Sequence, residues 1–314
     1  MELWFMGTNA GMPIAERNVT SIVLRMPQNR GTFWLFDCGE GTQHQLLRTP
    51  FKLSKLEKLF VTHLHGDHIF GLPGLLSSRS SLGVTAEMEL YGPPGIRDFV
   101  ENAFRISDSH LGYPLRIYEI GEGEAYRDED FIVEAAALDH RIECFGYRIT
   151  ERPRTGALRT DWLLEIGVPA GPLFGLLKSG QDVALEDGRI IRSEEAVGSS
   201  LHGRVITVLG DTKPCGNAVA LAKDADMLVH EATFLADLAE KAGEYGHSTS
   251  IQAAETARKA GAKRLLITHF SSRYKQEDLA ELESEARSAF PNTEAATELK
   301  PYSIPRGNVD DNRQ

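Results

Sequence analysis

The chain has 314 residues, 41% of them hydrophobic, and a formal net charge of −11. That length and composition exclude a disordered chain and suit one large core or two modest domains, and no apolar run approaches the roughly 20 residues of a membrane-spanning helix. Three widely spaced cysteines, Cys38, Cys144 and Cys215, exclude a disulfide framework and a CxxC zinc pattern. The acidic balance leaves nucleic-acid binding to local basic patches or to a cation-filled site.

The N-terminal stretch MELWFMGTNAG has neither a basic n-region nor a long apolar h-region, so a cytoplasmic location is expected. Short β-rich runs follow: ELWFMG, TSIVLRM and TFWLFD. The last enters a Gly-rich turn, and GTQHQLLRT starts a helix. KLEKLFVTH reads as a strand ending at His63, with His65, Asp67 and His68 directly after it. DFVENAFRI has helical spacing. FIVEAAALDH reads as another strand, ending at His140. Residues 152–195, with RPRTGALR and GVPAGPLFGLLKSG, are punctuated by glycine and proline around a few apolar residues. They read as an insertion that projects from the sheet as a hairpin-like arm. Beyond it, RVITVLGDT ends at Asp211, DMLVHE at Glu231 and KRLLITH at His269, with the helical pattern SIQAAETARKAGAK between the last two. The tail GNVDDNRQ is polar and expected to be frayed. Alternating strands and helices indicate an α/β architecture.

His63, His65, Asp67, His68, His140, Asp211 and His269 therefore all follow strand-like runs. In an open α/β sheet such ends share one crevice, so ligands far apart in sequence converge there. Imidazole with carboxylate suits zinc or a similar divalent ion. Seven donors exceed one tetrahedral site and divide into two sites that share a carboxylate. Isolated histidines such as His44, His110 and His202 are expected to be structural or merely exposed. HxHxDH is different, because a core has no need of three imidazoles and an aspartate within six residues.

The HxHxDH motif after a strand resembles the metallo-β-lactamase superfamily. With FDCGEGTQHQLL, HGDHIFGLPGLLSSRS, GDT, HEATF and GHST, the chain closely resembles its ribonuclease Z family in the arm-bearing bacterial form. The resemblance implies a four-layered αβ/βα sandwich over residues 1–307, with an inserted exosite arm at about 152–195 and a disordered tail at 308–314. It implies a tRNA 3′-processing endoribonuclease with two Zn2+ per subunit, acting as a homodimer on precursor tRNA, with no membrane association. His63, His65 and His140 resemble the ligands of one zinc, and Asp67, His68 and His269 those of the other, with Asp211 bridging. Asp67 matches the family's proposed general base. His247 in GHST and Glu231 in HEATF match the pair that assists leaving-group protonation, although His247 also suits a cap for the following helix and Glu231 a salt bridge. Gly171 and Pro172 resemble the Gly-Pro segment of the arm. The family's Pro-x-Lys-x-Arg-Asn loop, linked to rejection of tRNA ending in CCA, reads PIAERN here. Arg17 and Asn18 are retained as expected substrate contacts, and Ala15 replaces the lysine. RTPFKLSKLEK and RPRTGALR are the basic runs available to an RNA backbone. Two other readings stay open: a small-substrate hydrolase or phosphodiesterase on the same metal site, and a non-catalytic RNA-binding factor that retains a metal site. Accompanying 3′ exoribonuclease activity uses the same hydrolysis.

Overall fold

The apolar runs of the sequence pair into two large sheets. The computed structural model describes residues 1–27, 30–199 and 201–306, so the expected tail at 308–314 and the expected domain end at 307 lie outside the described residues. The chain divides into two compact units, one of residues 1–150 and 205–304, the other of residues 151–204 with the segment that begins at Pro305.

In the first unit each sheet has seven strands. One is ordered Pro301–Ser303, Glu2–Gly7, Ser21–Arg25, Phe33–Phe36, Leu56–Phe60, Met88–Gly92 and Leu115–Glu119. The other runs Thr293–Ala295, Leu265–Thr268, Met227–Glu231, Val205–Val208, Phe145–Glu151, Phe131–Ala137 and Gly123–Arg127. Their inner faces share one core, in which Phe36, Phe60 and Trp34 meet Phe131, Tyr147, Ile149, Ile206 and Val229. Phe60 stacks on Phe36 and on Tyr91 with centroids 5.2 and 4.9 Å apart, and truncating so buried an aromatic ring typically costs about 3–5 kcal/mol.

The outer faces carry the helices. Leu72, Leu75 and Leu76 of helix Leu72–Ser81 and Ile96 and Val100 of helix Ile96–Ile106 cover Leu59, Val61 and Leu90. On the other sheet, Ala253, Ala254 and Ala257 of helix Ser250–Ala260 and Leu279 and Leu282 of helix Leu279–Ala289 cover Leu228, Leu265 and Ile267. The unit is the four-layered αβ/βα sandwich read from the sequence. Strands buried on both faces need no alternation, and Met227–Glu231 is buried at every position.

Strand direction sets the site. Phe33–Phe36, Leu56–Phe60 and Met88–Gly92 are parallel, as are Val205–Val208, Met227–Glu231 and Leu265–Thr268. Their carboxyl ends lead to Asp37, His63, Asp211, Glu231 and His269.

The second unit has its own apolar centre of Leu163, Val168, Leu177, Val183, Ile191 and Ala196. It is built from helices Thr160–Glu165, Pro172–Lys178 and Ser193–Ala196 and a two-residue antiparallel ladder, Val183–Ala184 with Ile190–Ile191. Helices thus outweigh the hairpin expected from the Gly/Pro pattern, because Leu163 and Leu177 supply packing that a bare hairpin lacks. Gly171 and Pro172 are exposed at the start of helix Pro172–Lys178. Where the chain enters and leaves the unit, the buried Glu151 carboxylate accepts from Arg204 at 2.7 and 3.0 Å and pairs with Arg306.

Burial opposes ionisation of Glu151, yet the two guanidinium groups outweigh it and bring its carboxyl down from 4.5 to about 2. A carboxyl depressed in the folded state stabilises it above the ordinary value and loses that stabilisation as pH falls through the folded one. Glu151→Gln should therefore lower the unfolding free energy at neutral pH by about 3–5 kcal/mol. The difference from wild type should persist down to pH 4.5 and close as pH approaches about 2. Denaturant titrations across that range check it.

Candidate metal centre

The crevice at the strand ends gathers all seven predicted donors. His63, His65, His140 and Asp211 form one group, and Asp67, His68 and His269 a second. His63 Nε2 lies 3.0 Å from His65 Nδ1, which lies 3.3 Å from His140 Nε2. His68 Nε2 and His269 Nε2 are 3.4 Å apart, and Asp67 Oδ2 is 3.4 Å from His269 and 3.6 Å from His68. Asp211 Oδ2 reaches both groups, at 3.6 Å from His63, 3.5 Å from His68 and 3.3 Å from His269.

These separations test whether divalent ions fit. Zinc binds nitrogen and oxygen ligands at about 2.0–2.1 Å, and neighbouring corners of a tetrahedron of that size are roughly 3.3 Å apart. Imidazole nitrogens and carboxylate oxygens turned toward one another at such spacing suit a shared cation. The donor set is compatible with metal binding.

Four of the five imidazoles are fixed from behind. Nδ1 of His63 meets the Thr62 hydroxyl at 3.0 Å, Nδ1 of His68 the Asp37 carboxylate at 2.8 Å, Nδ1 of His140 the Gly246 carbonyl at 2.7 Å and Nδ1 of His269 the Thr233 hydroxyl at 3.0 Å. Such partners set tautomer and ring direction. His65 instead offers Nδ1 inward. Asp37, Thr62, Thr233 and Gly246 were missed in the sequence. Only Asp37 carried a usable signal, since it follows strand Phe33–Phe36 as Asp211 follows its own strand. Asp37 and His269 both have positive φ, 57° and 59°, an uncommon conformation that turns the chain sharply at the crevice. Two glycines permit close approach. A Cβ on Gly39 would lie 2.3 Å from the Asp67 carbonyl oxygen, and one on Gly210 2.6 Å from Cys144 Sγ.

Charge is divided among the donors. Burial, reinforced by neighbouring His68, holds His63 well below the ordinary histidine range. Burial also lowers His65. For His68 burial is outweighed by Asp211, Asp37 and Asp67, which raise it well above that range. Asp67 and Asp211 are held ionised against burial by the surrounding imidazoles.

Glu231 and His247 stand beside the donors. Glu231 Oε1 lies 2.9 Å from His247 Nδ1, and its other oxygen accepts from the Thr233 hydroxyl at 2.6 Å. Burial disfavours a charged His247, but Glu231 overcomes it and pushes the imidazole up to about 9. The alternative role of His247 as a helix cap does not match the structure. Helix Ser250–Ala260 is capped by Thr249 and Gln252, reciprocally.

The remaining candidates lie elsewhere. Arg17 is 3% exposed and turned inward, donating to Asn9 and to the Tyr274 carbonyl. Asn18 gives its amide to Glu298 and its side chain to the Glu40 carbonyl. Of the basic run near residue 50, Arg48, Lys52 and Lys55 are exposed, while Lys58 is buried against Glu89. His44, His110 and His202 are exposed and outside the cluster.

Asp37→Asn should keep the fold and weaken metal binding by about 10–100-fold, the usual effect of losing a group that orients a ligand. Competition against a chromogenic chelator measures it, and an unchanged affinity would leave Asp37 a turn residue only.

A family profile described as "Anti-Pycsar protein Apyc1" matches residues 1–103, which include the HxHxDH cluster. Ribonuclease Z of Bacillus cereus (strain B4264) is 53% identical over 305 residues, spanning 97% of this chain and 99% of that protein. Ribonuclease Z of Bacillus anthracis is 54% identical over 307 residues, spanning 98% and 100%. The crystal structure of the short form of human tRNase Z superposes with a TM-score of 0.70 at 32% identity, over 97% of this chain and all of that one (100%).

Proposed function

Since the chain belongs to the ribonuclease Z family, we propose that it removes 3′ extensions from precursor tRNA by metal-assisted hydrolysis of one phosphodiester bond. The observation that carries this reading is the pairing of two donor groups around Asp211 Oδ2 with a Glu231–His247 pair at their edge. His63, His65 and His140 would hold one ion, Asp67, His68 and His269 the other, and Asp211 both. Bound there, two zinc ions supply Lewis acidity toward phosphate oxygens and toward water.

The chain's own groups complete the reaction. Asp67, ionised, takes the proton of the attacking water. The water oxygen bonds to phosphorus, and the bond from phosphorus to the tRNA 3′ oxygen breaks. His247, charged beside Glu231, gives that oxygen its proton, so the tRNA leaves with a 3′-hydroxyl and the trailer with a 5′-phosphate. Glu231 orients the donor through Nδ1, which leaves Nε2 free for the leaving group.

Residues 151–204 act in this reading as the arm that holds the folded body of the tRNA, with exposed Gly171 and Pro172 among its contacts. A homodimer in the cytoplasm is part of the same reading, as is accompanying 3′ exonuclease trimming. Among the described residues, no helix is long and apolar enough to cross a membrane.

The deciding experiment incubates zinc-loaded protein with a 3′-extended precursor tRNA and maps the product end. Cleavage at the discriminator base leaving a 3′-hydroxyl is expected. Failure to cleave, or cleavage of small phosphodiesters alone, would overturn the reading. His247→Ala should retain both ions and RNA affinity but slow single-turnover cleavage by about 10²–10⁴-fold. Replacing Thr155–Arg192 by a short linker should impair cleavage of folded tRNA and spare a small phosphodiester such as bis(p-nitrophenyl) phosphate. Equal loss of both activities would make the unit a support for the core.

A further inference from the structure

The segment between strands Glu2–Gly7 and Ser21–Arg25 touches the candidate donor Asp67 and the residue next to another, His269. The Gly11 amide donates to Asp67 Oδ2 at 2.8 Å. One residue earlier, the Ala10 amide donates to the Phe270 carbonyl at 2.9 Å, and the Phe270 amide donates back to Thr8 at 2.8 Å. Phe270 directly follows His269, which holds an uncommon positive φ of 59°. The segment therefore grips Asp67 through its carboxylate and His269 through the adjoining backbone. Neither grip touches His63, His65 or His140.

Behind these contacts lies a second layer of fixings. Asn9 is fully buried. Its Oδ1 accepts from Arg17 at 3.1 and 2.8 Å, and its Nδ2 donates to the Met12 carbonyl at 2.6 Å. Arg17 also donates to the Tyr274 carbonyl at 2.6 Å. At the base, Glu298 Oε1 accepts from the Thr8 and Asn18 amides at 3.0 and 2.8 Å, and Gln45 donates to its Oε2 at 2.7 Å. A loop of this length would otherwise be among the least ordered parts of the unit. Here its inner side is bonded almost residue by residue, while Met12 on its outer side is 57% exposed.

We propose that Thr8–Asn18 is a brace for the Asp67–His68–His269 half of the metal centre, and that Asn9 is its central positioning residue. Through Asn9 the buried Arg17 sets the path of residues 10–12, and that path delivers the Gly11 amide to Asp67 and the Ala10 amide to Phe270. Arg17 and Asn18 then serve the reaction by shape rather than by touching RNA. The exposed stretch Met12–Glu16, which carries Ala15, is the part left to meet the RNA end. An RNA end that displaces this stretch would alter the same half of the centre, and by linkage an ion in that half would alter RNA affinity by the same factor.

The inference rests on the two-ion reading above, and its test separates the two. Zinc affinity and stoichiometry are measured by chelator competition on the full chain, and the environment of each site by the visible spectrum after cobalt substitution. Wild type should bind two ions, and fewer would overturn the two-ion reading itself. Asn9→Ala should weaken one ion by about 10–100-fold and leave the other unchanged, with loss of one set of cobalt bands. Asn9→Asp keeps an acceptor for Arg17 but loses the donor to the Met12 carbonyl, so it should weaken the same ion. Glu298→Ala acts from the far end of the brace, keeps Asn9 in place, and should weaken the same ion, which supplies the answer if Asn9→Ala does not fold. Wild-type affinity for both ions in these variants, or equal weakening of both, would overturn the brace.

Discussion

One carboxylate oxygen, Asp211 Oδ2, sits within 3.3–3.9 Å of four imidazoles, those of His269, His68, His63 and His247. A buried ionised carboxylate is costly unless positive charge and hydrogen bonds surround it. The arrangement therefore requires cationic partners, and the sandwich supplies places for them. Parallel strands from both sheets end at this point, so the backbone brings His63, Asp211 and His269 together without long excursions. The same convergence places Glu231 where it can hold His247 at the edge of the cluster. The proposed metal sites and the proposed proton donor thus share one strand-end crevice.

The apparatus behind the donors is as constrained as the donors themselves. Four of the five imidazoles are anchored through Nδ1 by a threonine, a carboxylate or a backbone carbonyl. The exception, His65, turns Nδ1 inward. A preorganised site of this kind loses little free energy in reorganisation when charge develops on the substrate. The hydrogen bonds of Thr8–Asn18 extend that order to a segment with an exposed outer face.

The architecture and the gathering of the seven candidate donors are legible because they rest on local signals. Apolar runs of strand length, helical spacing and the density of HxHxDH each occupy a few consecutive residues. The orienting groups were not legible, because Thr62, Thr233 and the Gly246 carbonyl are ordinary residue types whose role depends on a partner far away in sequence. Arg17, expected from the family loop motif as a substrate contact, is held inside by Asn9 and the Tyr274 carbonyl, a placement that the motif alone does not disclose. The extent of the second unit differs for a similar reason. Gly/Pro punctuation marks about 152–195, whereas the compact unit takes in residues 151–204 and the segment that begins at Pro305. Glu151 and Arg204 form a buried ion pair, and no composition rule pairs a glutamate with an arginine across an insertion.

The claim on which the account depends is that Asp211 is shared by two ions. Crystals of the zinc-loaded protein, measured on both sides of the zinc absorption edge, locate each ion directly by anomalous scattering. Two peaks per chain are expected, one among His63, His65 and His140 and one among Asp67, His68 and His269, with Asp211 Oδ2 bonded to both. A single peak at full zinc occupancy, or two peaks with Asp211 bonded to only one, would contradict the claim.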